Sequence, residues 1–182
     1  MNVFVVVICH AFVQGLVLSI LLLFNKRIKS SVRVLLSLYI LNSVLIIGNY
    51  LFERFGWYNV YPNLIWLTAP LWFLIGPLLF NFIGSFSKSN WTFRFSGILH
   101  LIPFILGIIY VFPFYILDEA VKIEFFSNYY NSNSFSLDYY SVLNQFSIFI
   151  YSLFSIILLK KSIPEKVKPS GRLGLFFIWM FL

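Results

Sequence analysis

Charged side chains are scarce in this sequence. Lys, Arg, Asp and Glu make up 10% of its 182 residues, against about 25% in an ordinary soluble domain. Apolar residues make up 60%, which is more than a domain of this size can hide in its interior. The composition therefore excludes an ordinary water-soluble domain and indicates a protein surrounded by lipid.

Cysteine and intramembrane carboxylates are also lacking. Cys9 is the only cysteine, which excludes an internal disulfide and a cysteine-based metal site. No Asp or Glu lies within a long apolar run, whereas proton-coupled transporters and intramembrane hydrolases usually need ionisable groups at depth. We therefore predict no enzymatic activity, no cofactor and no metal.

Long apolar runs dominate what is present. Five segments could cross a hydrocarbon layer of about 30 Å as helices rising about 1.5 Å per residue. They cover residues 3–24, 32–52, 64–83, 97–117 and 139–159, and a partial sixth covers 173–182. Runs such as VLSILLLF do not alternate as barrel strands would. We predict an all-α fold: a polytopic transmembrane helix bundle forming one membrane domain over residues 1–182.

Basic residues divide unevenly among the connectors. The second and fourth connectors hold only Arg54 and Lys122, and the odd connectors hold the other eleven of the 13 Lys and Arg residues. Because basic loops stay in the cytoplasm, we predict a multi-pass inner-membrane protein with its amino terminus outside. The predicted cytoplasmic residues are Lys26, Arg27, Lys29, Arg33, Lys88, Arg94, Lys160, Lys161, Lys166, Lys168 and Arg172.

Prolines interrupt the third and fourth runs. Pro70, Gly76 and Pro77 lie in TAPLWFLIGPLLF, and Pro103 follows His100 in LHLIPF. Membrane helices tolerate proline because neighbouring groups satisfy the freed carbonyls, so we predict kinked helices. A kink can form a ligand cavity or a hinge, but we favour a packing role. His100 could sense pH or hold a ligand, and we favour a local hydrogen bond.

Four amides interrupt the second and fifth runs. Such groups are expected to turn inward and bond across helices. They could line an intramembrane polar pocket, although interhelical bonding is the interpretation we favour. The candidates are Asn42, Asn49, Asn144 and Gln145.

The fourth connector, residues 118–138, combines acidic residues with the polar stretch SNYYNSNSFS. It is the longest segment on the predicted external side. It could contact an external ligand or partner, or be a solvated loop with no partner, which we favour.

Three blocks resemble one known family. They are AFVQGLVLSILLLFNKR, PLWFLIGPLLFNFIGSF and ILHLIPFILGIIYVFPFY. In this order they resemble the amino-terminal membrane domain of membrane-bound AraC-type transcriptional regulators. Gly76-Pro77 with the following Leu-Leu-Phe matches the family's GPLL plus aromatic, and His100 with Pro103 matches its His-x-x-Pro-Phe.

The resemblance implies a bundle of about seven helices that precedes a cytoplasmic helix-turn-helix domain. This chain has no helix-turn-helix segment, and residues 173–182 reach only about 15 Å as a helix. We therefore interpret it as a truncated sensory or anchoring module. It would contact lipid, with dimer formation left open, and would reach DNA only through the missing domain. The alternatives are the input domain of a sensor kinase and a stand-alone small transporter subunit.

Overall fold

The computed structural model describes residues 3–87, 100–131 and 139–162. Within these ranges it contains six α-helices, three short 3-10 helices and no strand, so the all-α prediction is confirmed for this part of the chain. The predicted sixth span and five of the predicted cytoplasmic basic residues (Lys88, Arg94, Lys166, Lys168 and Arg172) lie outside the described residues. The α-helices are α1 (Val3–Phe24), α2 (Ser30–Arg54), α3 (Ile75–Ser87), α4 (Ile102–Tyr115), α5 (Glu119–Asn131) and α6 (Tyr139–Ser162).

Four helical segments are long and apolar enough to cross a membrane. They are Val3–Phe24, Ser30–Arg54, Pro62–Ser87 and Tyr140–Lys161. Three of the four agree with a predicted span to within a few residues at each end, and the Pro62–Ser87 segment contains the predicted span 64–83. α4 and α5 would add a fifth if counted together, but the chain bends by 111° between them.

The third segment is not the kinked α-helix that the sequence predicted. It contains the 3-10 helices Pro62–Leu64 and Ala69–Leu74, and only then becomes α-helical in α3. Pro70 lies in the first turn of its 3-10 helix and Pro77 is the third residue of α3. Proline is tolerated at the start of a helix because the backbone N–H groups there have no intrahelical acceptor. The two prolines therefore lie in the first turns of two different types of helix.

The predicted fourth span is also shorter than expected. α4 has 14 residues, which gives a length of about 21 Å at about 1.5 Å per residue. Pro103 lies in its first turn and does not kink it, whereas Pro113 lies inside the helix, just before the bend. α5 then occupies residues that the sequence assigned to a connector.

The bundle is held together in the order α1, α2, α3, α6. Each of these helices packs on the next, and α4 packs mainly on the 3-10 helix Ala69–Leu74. Glycine permits the α1–α2 approach, because a Cβ atom added at Gly48 would lie 2.8 Å from the Phe12 ring. A Cβ atom at Gly15 would likewise collide with Val44. Small residues let helix backbones come close together in this way.

The outer surface of the bundle is strongly apolar. Only 6% of the most apolar 18-residue window of α1 is buried, and the corresponding figure for α6 is 11%. Soluble monomers rarely expose contiguous apolar surface on this scale. The exposed side chains of α1 include Val3, Phe4, Val6, Val7, Val13, Val17, Leu18, Ile20, Leu21, Leu23 and Phe24.

Candidate functional site

A cavity of about 530 Å³ lies between α4 and α6. α4 packs mainly on the Ala69–Leu74 helix and α6 mainly on α3, rather than extensively on each other. The space between them forms what we call the α4–α6 cavity. Its lining is mainly apolar and aromatic, with a few polar side chains. It is lined by Phe73, His100, Pro103, Leu106, Gly107, Tyr110, Tyr140, Leu143, Phe146, Ser147, Ile150, Tyr151 and Phe154.

One end of the cavity has an aromatic floor. The Phe73 ring is buried and meets the Tyr140 ring edge-on at 5.1 Å between centroids, and Tyr110 stacks on Tyr140 at 5.2 Å. Gly107 lets α4 approach this floor, because a Cβ atom there would lie 3.1 Å from Phe73. Edge-on and offset contacts of this kind are favourable for aromatic rings.

The other end carries a polar pair. The His100 Nδ1 and Tyr151 Oη atoms lie 2.9 Å apart and share a hydrogen bond. Phe80 packs against both rings, at 5.4 Å from His100 and 6.3 Å from Tyr151. The expected local hydrogen bond of His100 is therefore wrong, since its partner lies 51 residues along the chain. No spacing pattern in the sequence links the two residues.

Gly76 positions this pair. A Cβ atom at Gly76 would lie 2.6 Å from Tyr151 Cδ2 and 2.9 Å from its Cβ and Cγ atoms. Tyr151 therefore sits directly on the backbone of α3, where only glycine leaves room. Of the residues predicted to kink helices, Gly76 supports the polar pair and Pro103 lines the cavity.

A second cluster closes one end of the bundle. We call it the aromatic cap; its buried centre is Tyr58, Ile65 and Phe114, with Phe52, Leu64, Trp66 and Phe126 packed around it. The Tyr58 and Phe126 rings meet edge-on at 5.0 Å, and Trp66 lies 4.9 Å from Phe114. Trp66 has a φ of 58°, a left-handed conformation that costs about 1–2 kcal/mol and that these contacts offset.

The cap also contains hydrogen bonds from buried polar groups. The Tyr58 hydroxyl donates to the Asn49 carbonyl at 3.0 Å. Burial, with a smaller contribution from the Glu53 charge, raises the pKa of the Tyr58 phenol. The phenol is therefore neutral and able to donate throughout the physiological pH range.

Lys122 on α5 is 2% exposed. Its Nζ donates to Asn63 Oδ1 at 2.6 Å and to the Tyr115 carbonyl at 2.9 Å. Asn63 Nδ2 in turn donates to Glu119 Oε1 at 3.3 Å. These bonds attach α5 to the chain around Pro62–Leu64. The second and fourth connectors thus meet at one end of the bundle, and residues 119–131 of the predicted loop are helical.

The four predicted amides lie elsewhere, and none of them lines the α4–α6 cavity. Asn42 is buried and donates from Nδ2 to the Leu71 carbonyl at 3.1 Å, which joins α2 to the Ala69–Leu74 helix. The Asn49 carbonyl receives the Tyr58 hydroxyl. Asn144 is buried and Gln145 is exposed. Asn42 thus supplies interhelical bonding of the kind that the sequence favoured.

The first basic connector, between α1 and α2, is open to its surroundings. Lys26, Arg27 and Lys29 are exposed, and Arg33 Nη1 donates to the Asn25 carbonyl at 3.2 Å. Lys160 and Lys161 are exposed in the last turn of α6. Lys26, Arg27, Lys160 and Lys161 therefore lie at the surface of the bundle.

Comparison with known proteins returns no relative. No family model matches the chain, and neither the curated proteins nor the solved structures contain a match. Across the described ranges no group of three or more His, Cys, Asp or Glu side chains could hold a metal ion. What the site can do must therefore be inferred from its own geometry: the α4–α6 cavity can hold an apolar molecule and offer it a hydrogen bond.

Proposed function

We propose that this protein is an integral membrane helix bundle that serves as a sensory or anchoring module, with the α4–α6 cavity as its receptor site. The observation that carries the proposal is the apolar surface of four helices long enough to cross a bilayer. In lipid that surface needs no further cover. The third segment fits the same thickness: 3-10 residues 69–74 and helix 75–87 together span about 31 Å.

The proposed orientation has the amino terminus outside, at the inner membrane. Arg54 ends α2 just before the aromatic cap, and Lys122 lies beside the cap, where the second and fourth connectors meet. Six other described cations lie in the first connector, early α2 and the end of α6. Because positively charged loops stay in the cytoplasm, the cap lies on the external side.

Single-cysteine labelling tests this topology. Cys9→Ser leaves a cysteine-free chain, into which Asn128→Cys or Lys26→Cys is introduced at an exposed position. In intact cells a membrane-impermeant maleimide is expected to label Asn128→Cys and to reach Lys26→Cys only after permeabilisation. The reverse pattern would contradict the orientation, and equal labelling of both positions before permeabilisation would contradict insertion.

The module is proposed to belong to a membrane-bound AraC-type regulator. The three sequence blocks support this role. Two of their residues contact Tyr151: Gly76 lies against its ring, and His100 shares a hydrogen bond with its hydroxyl. Reading the gene beyond Leu182 tests it: a helix-turn-helix domain is expected downstream. A histidine-containing dimerisation helix followed by an ATP-binding domain would instead identify the input domain of a sensor kinase.

A further inference from the structure

We infer that the α4–α6 cavity binds a neutral lipophilic carbonyl compound. Its apolar body would lie along the aromatic floor, and its carbonyl oxygen would accept a hydrogen bond from the His100–Tyr151 pair. This inference rests on the proposed function, because it names the ligand class of the proposed receptor site.

The size and lining of the cavity fit a small ligand. Its volume of about 530 Å³ lies within the range of about 300–1,000 Å³ that is usual for ligand sites. Such sites are mostly apolar, with a few polar groups that orient the ligand. Here Tyr140 and Tyr151 are 11 residues apart on α6, so the aromatic floor and the polar pair are separated by about 16 Å along the helix. The cavity is therefore mainly apolar, and the hydroxyl groups of Tyr110, Tyr140 and Ser147 belong to its lining besides the polar pair.

The hydrogen bond within the polar pair uses only one of its two donor groups. If the Tyr151 hydroxyl donates to His100 Nδ1, the neutral ring carries its proton on Nε2. If Nδ1–H donates to Tyr151 Oη, the hydroxyl proton of Tyr151 is left instead. In both tautomers one donor has no further partner among the described residues. His100 and Tyr151 are both half-buried, and a donor that a bound ligand covers without supplying an acceptor costs free energy, so the pair favours a ligand that brings an acceptor.

The acceptor is a neutral carbonyl rather than a carboxylate. Among the residues that the structure describes, no Lys or Arg lines the cavity. An ionised carboxylate in such surroundings would lack the cation that buried charges require. A ketone, ester, amide or quinone oxygen accepts one hydrogen bond without that cost.

Access to the cavity is from the side of the bundle. Leu106, Leu143 and Phe146 form its rim and are 59%, 61% and 61% exposed. In the proposed membrane orientation this rim faces lipid. The ligand therefore enters from the bilayer, where lipophilic compounds are concentrated, rather than from water.

Photolabelling by benzophenone tests this inference directly, since the probe is itself a lipophilic ketone. The full chain is reconstituted in lipid nanodiscs and irradiated with increasing benzophenone, and labelled residues are identified by mass spectrometry. Saturable labelling of cavity residues on α4 and α6 is expected. Diphenylmethane has a similar shape but no carbonyl. As a competitor it is expected to reduce the labelling of cavity residues about three- to tenfold less effectively than an unlabelled benzophenone derivative does.

Variants separate the hydrogen bond from the shape of the cavity. The double variant His100→Phe/Tyr151→Phe removes both donors and keeps both rings. It is expected to raise the half-saturating benzophenone concentration about three- to tenfold and to leave diphenylmethane competition unchanged. Leu106→Trp, at the rim, is expected to reduce labelling. The matched control is Ile109→Trp on the same helix, which is exposed but does not line the cavity.

Three results would overturn the inference. They are labelling spread evenly over all exposed helices, equal competition by the two compounds, and an unchanged half-saturation in the double variant. The inference would also be overturned if the cavity residues stay unlabelled. That result is expected if residues 173–182 or a second copy of the chain cover them. Because cysteine labelling reports topology separately, a chain that inserts as proposed but gives any of these results refutes the ligand and leaves membrane insertion standing.

Discussion

At the scale of single residues, a glycine determines where the polar pair can lie. Because Gly76 has no side chain, Tyr151 can lie against the α3 backbone. Tyr151 then reaches His100 at 2.9 Å, with Phe80 packed against both. One small residue thus positions the polar end of the α4–α6 cavity.

Gly76→Ala is therefore expected to destabilise the bundle by about 1–3 kcal/mol, the usual cost of overpacking. The added Cβ atom would lie 2.6 Å from Tyr151, so α3 and α6 must move apart or the ring must rotate. Thermal unfolding in detergent micelles measures the change. In a Tyr151→Ala background the same substitution is expected to cost less than about 0.5 kcal/mol, since contacting residues couple. An equal cost in both backgrounds would contradict the contact.

The sequence indicates which residues are unusual, but it does not show which of them contact each other. Gly76, His100 and Pro103 stand out because such residues are unusual in apolar runs. Tyr151 does not stand out, since tyrosine is common in this chain. The hydrogen bond joins positions 51 residues apart and depends on the packing of α3, α4 and α6. Periodicity and spacing report neighbours within one helix, so this pair could not be predicted.

At the scale of elements, continuous apolar runs are the most predictable. The sequence predicts a helix at residues 3–24, and α1 is observed at Val3–Phe24, because this uninterrupted apolar run contains no proline to end it. The third run was predicted as one helix. Its prolines instead mark the change from a 3-10 helix to α3, and composition alone does not distinguish the two helix types.

α5 is a helix where the sequence predicted a connector. Its mean composition is polar enough to suggest a loop, but Phe126 belongs to the aromatic cap, Phe125 contacts it, and Lys122 is buried. Tertiary contacts stabilise this helix where its own sequence pattern is weak. Such contacts come from residues around position 60, more than 50 positions away.

Lys122→Met is accordingly expected to loosen α5. The change removes the bonds to Asn63 and to the Tyr115 carbonyl, and a buried acceptor left without a partner costs about 1–3 kcal/mol. Amide hydrogen exchange in residues 119–128 should become roughly five- to 150-fold faster. Lys26→Met, at an exposed position in the first connector, is the control and should leave this exchange unchanged. Unaltered protection in Lys122→Met would show that the aromatic contacts alone hold α5.

At the scale of the whole molecule, two features point in the same direction. Apolar side chains cover the outside of the bundle, whereas hydrogen-bonded polar groups such as Asn42, Ser19 and Ser37 lie inside it. Described cations are concentrated away from the end that carries the aromatic cap. A soluble bundle would show the reverse arrangement of polar and apolar surface. Both features follow if lipid surrounds the helices.

The most direct measurement of this claim is the partition of the expressed chain between membrane and water. Membranes carrying the chain are washed with alkaline carbonate, sedimented, and then extracted with a mild detergent. The chain is expected to remain in the pellet after the wash and to dissolve only with detergent. A chain that is released by the wash and purifies without detergent as a compact monomer would contradict the account.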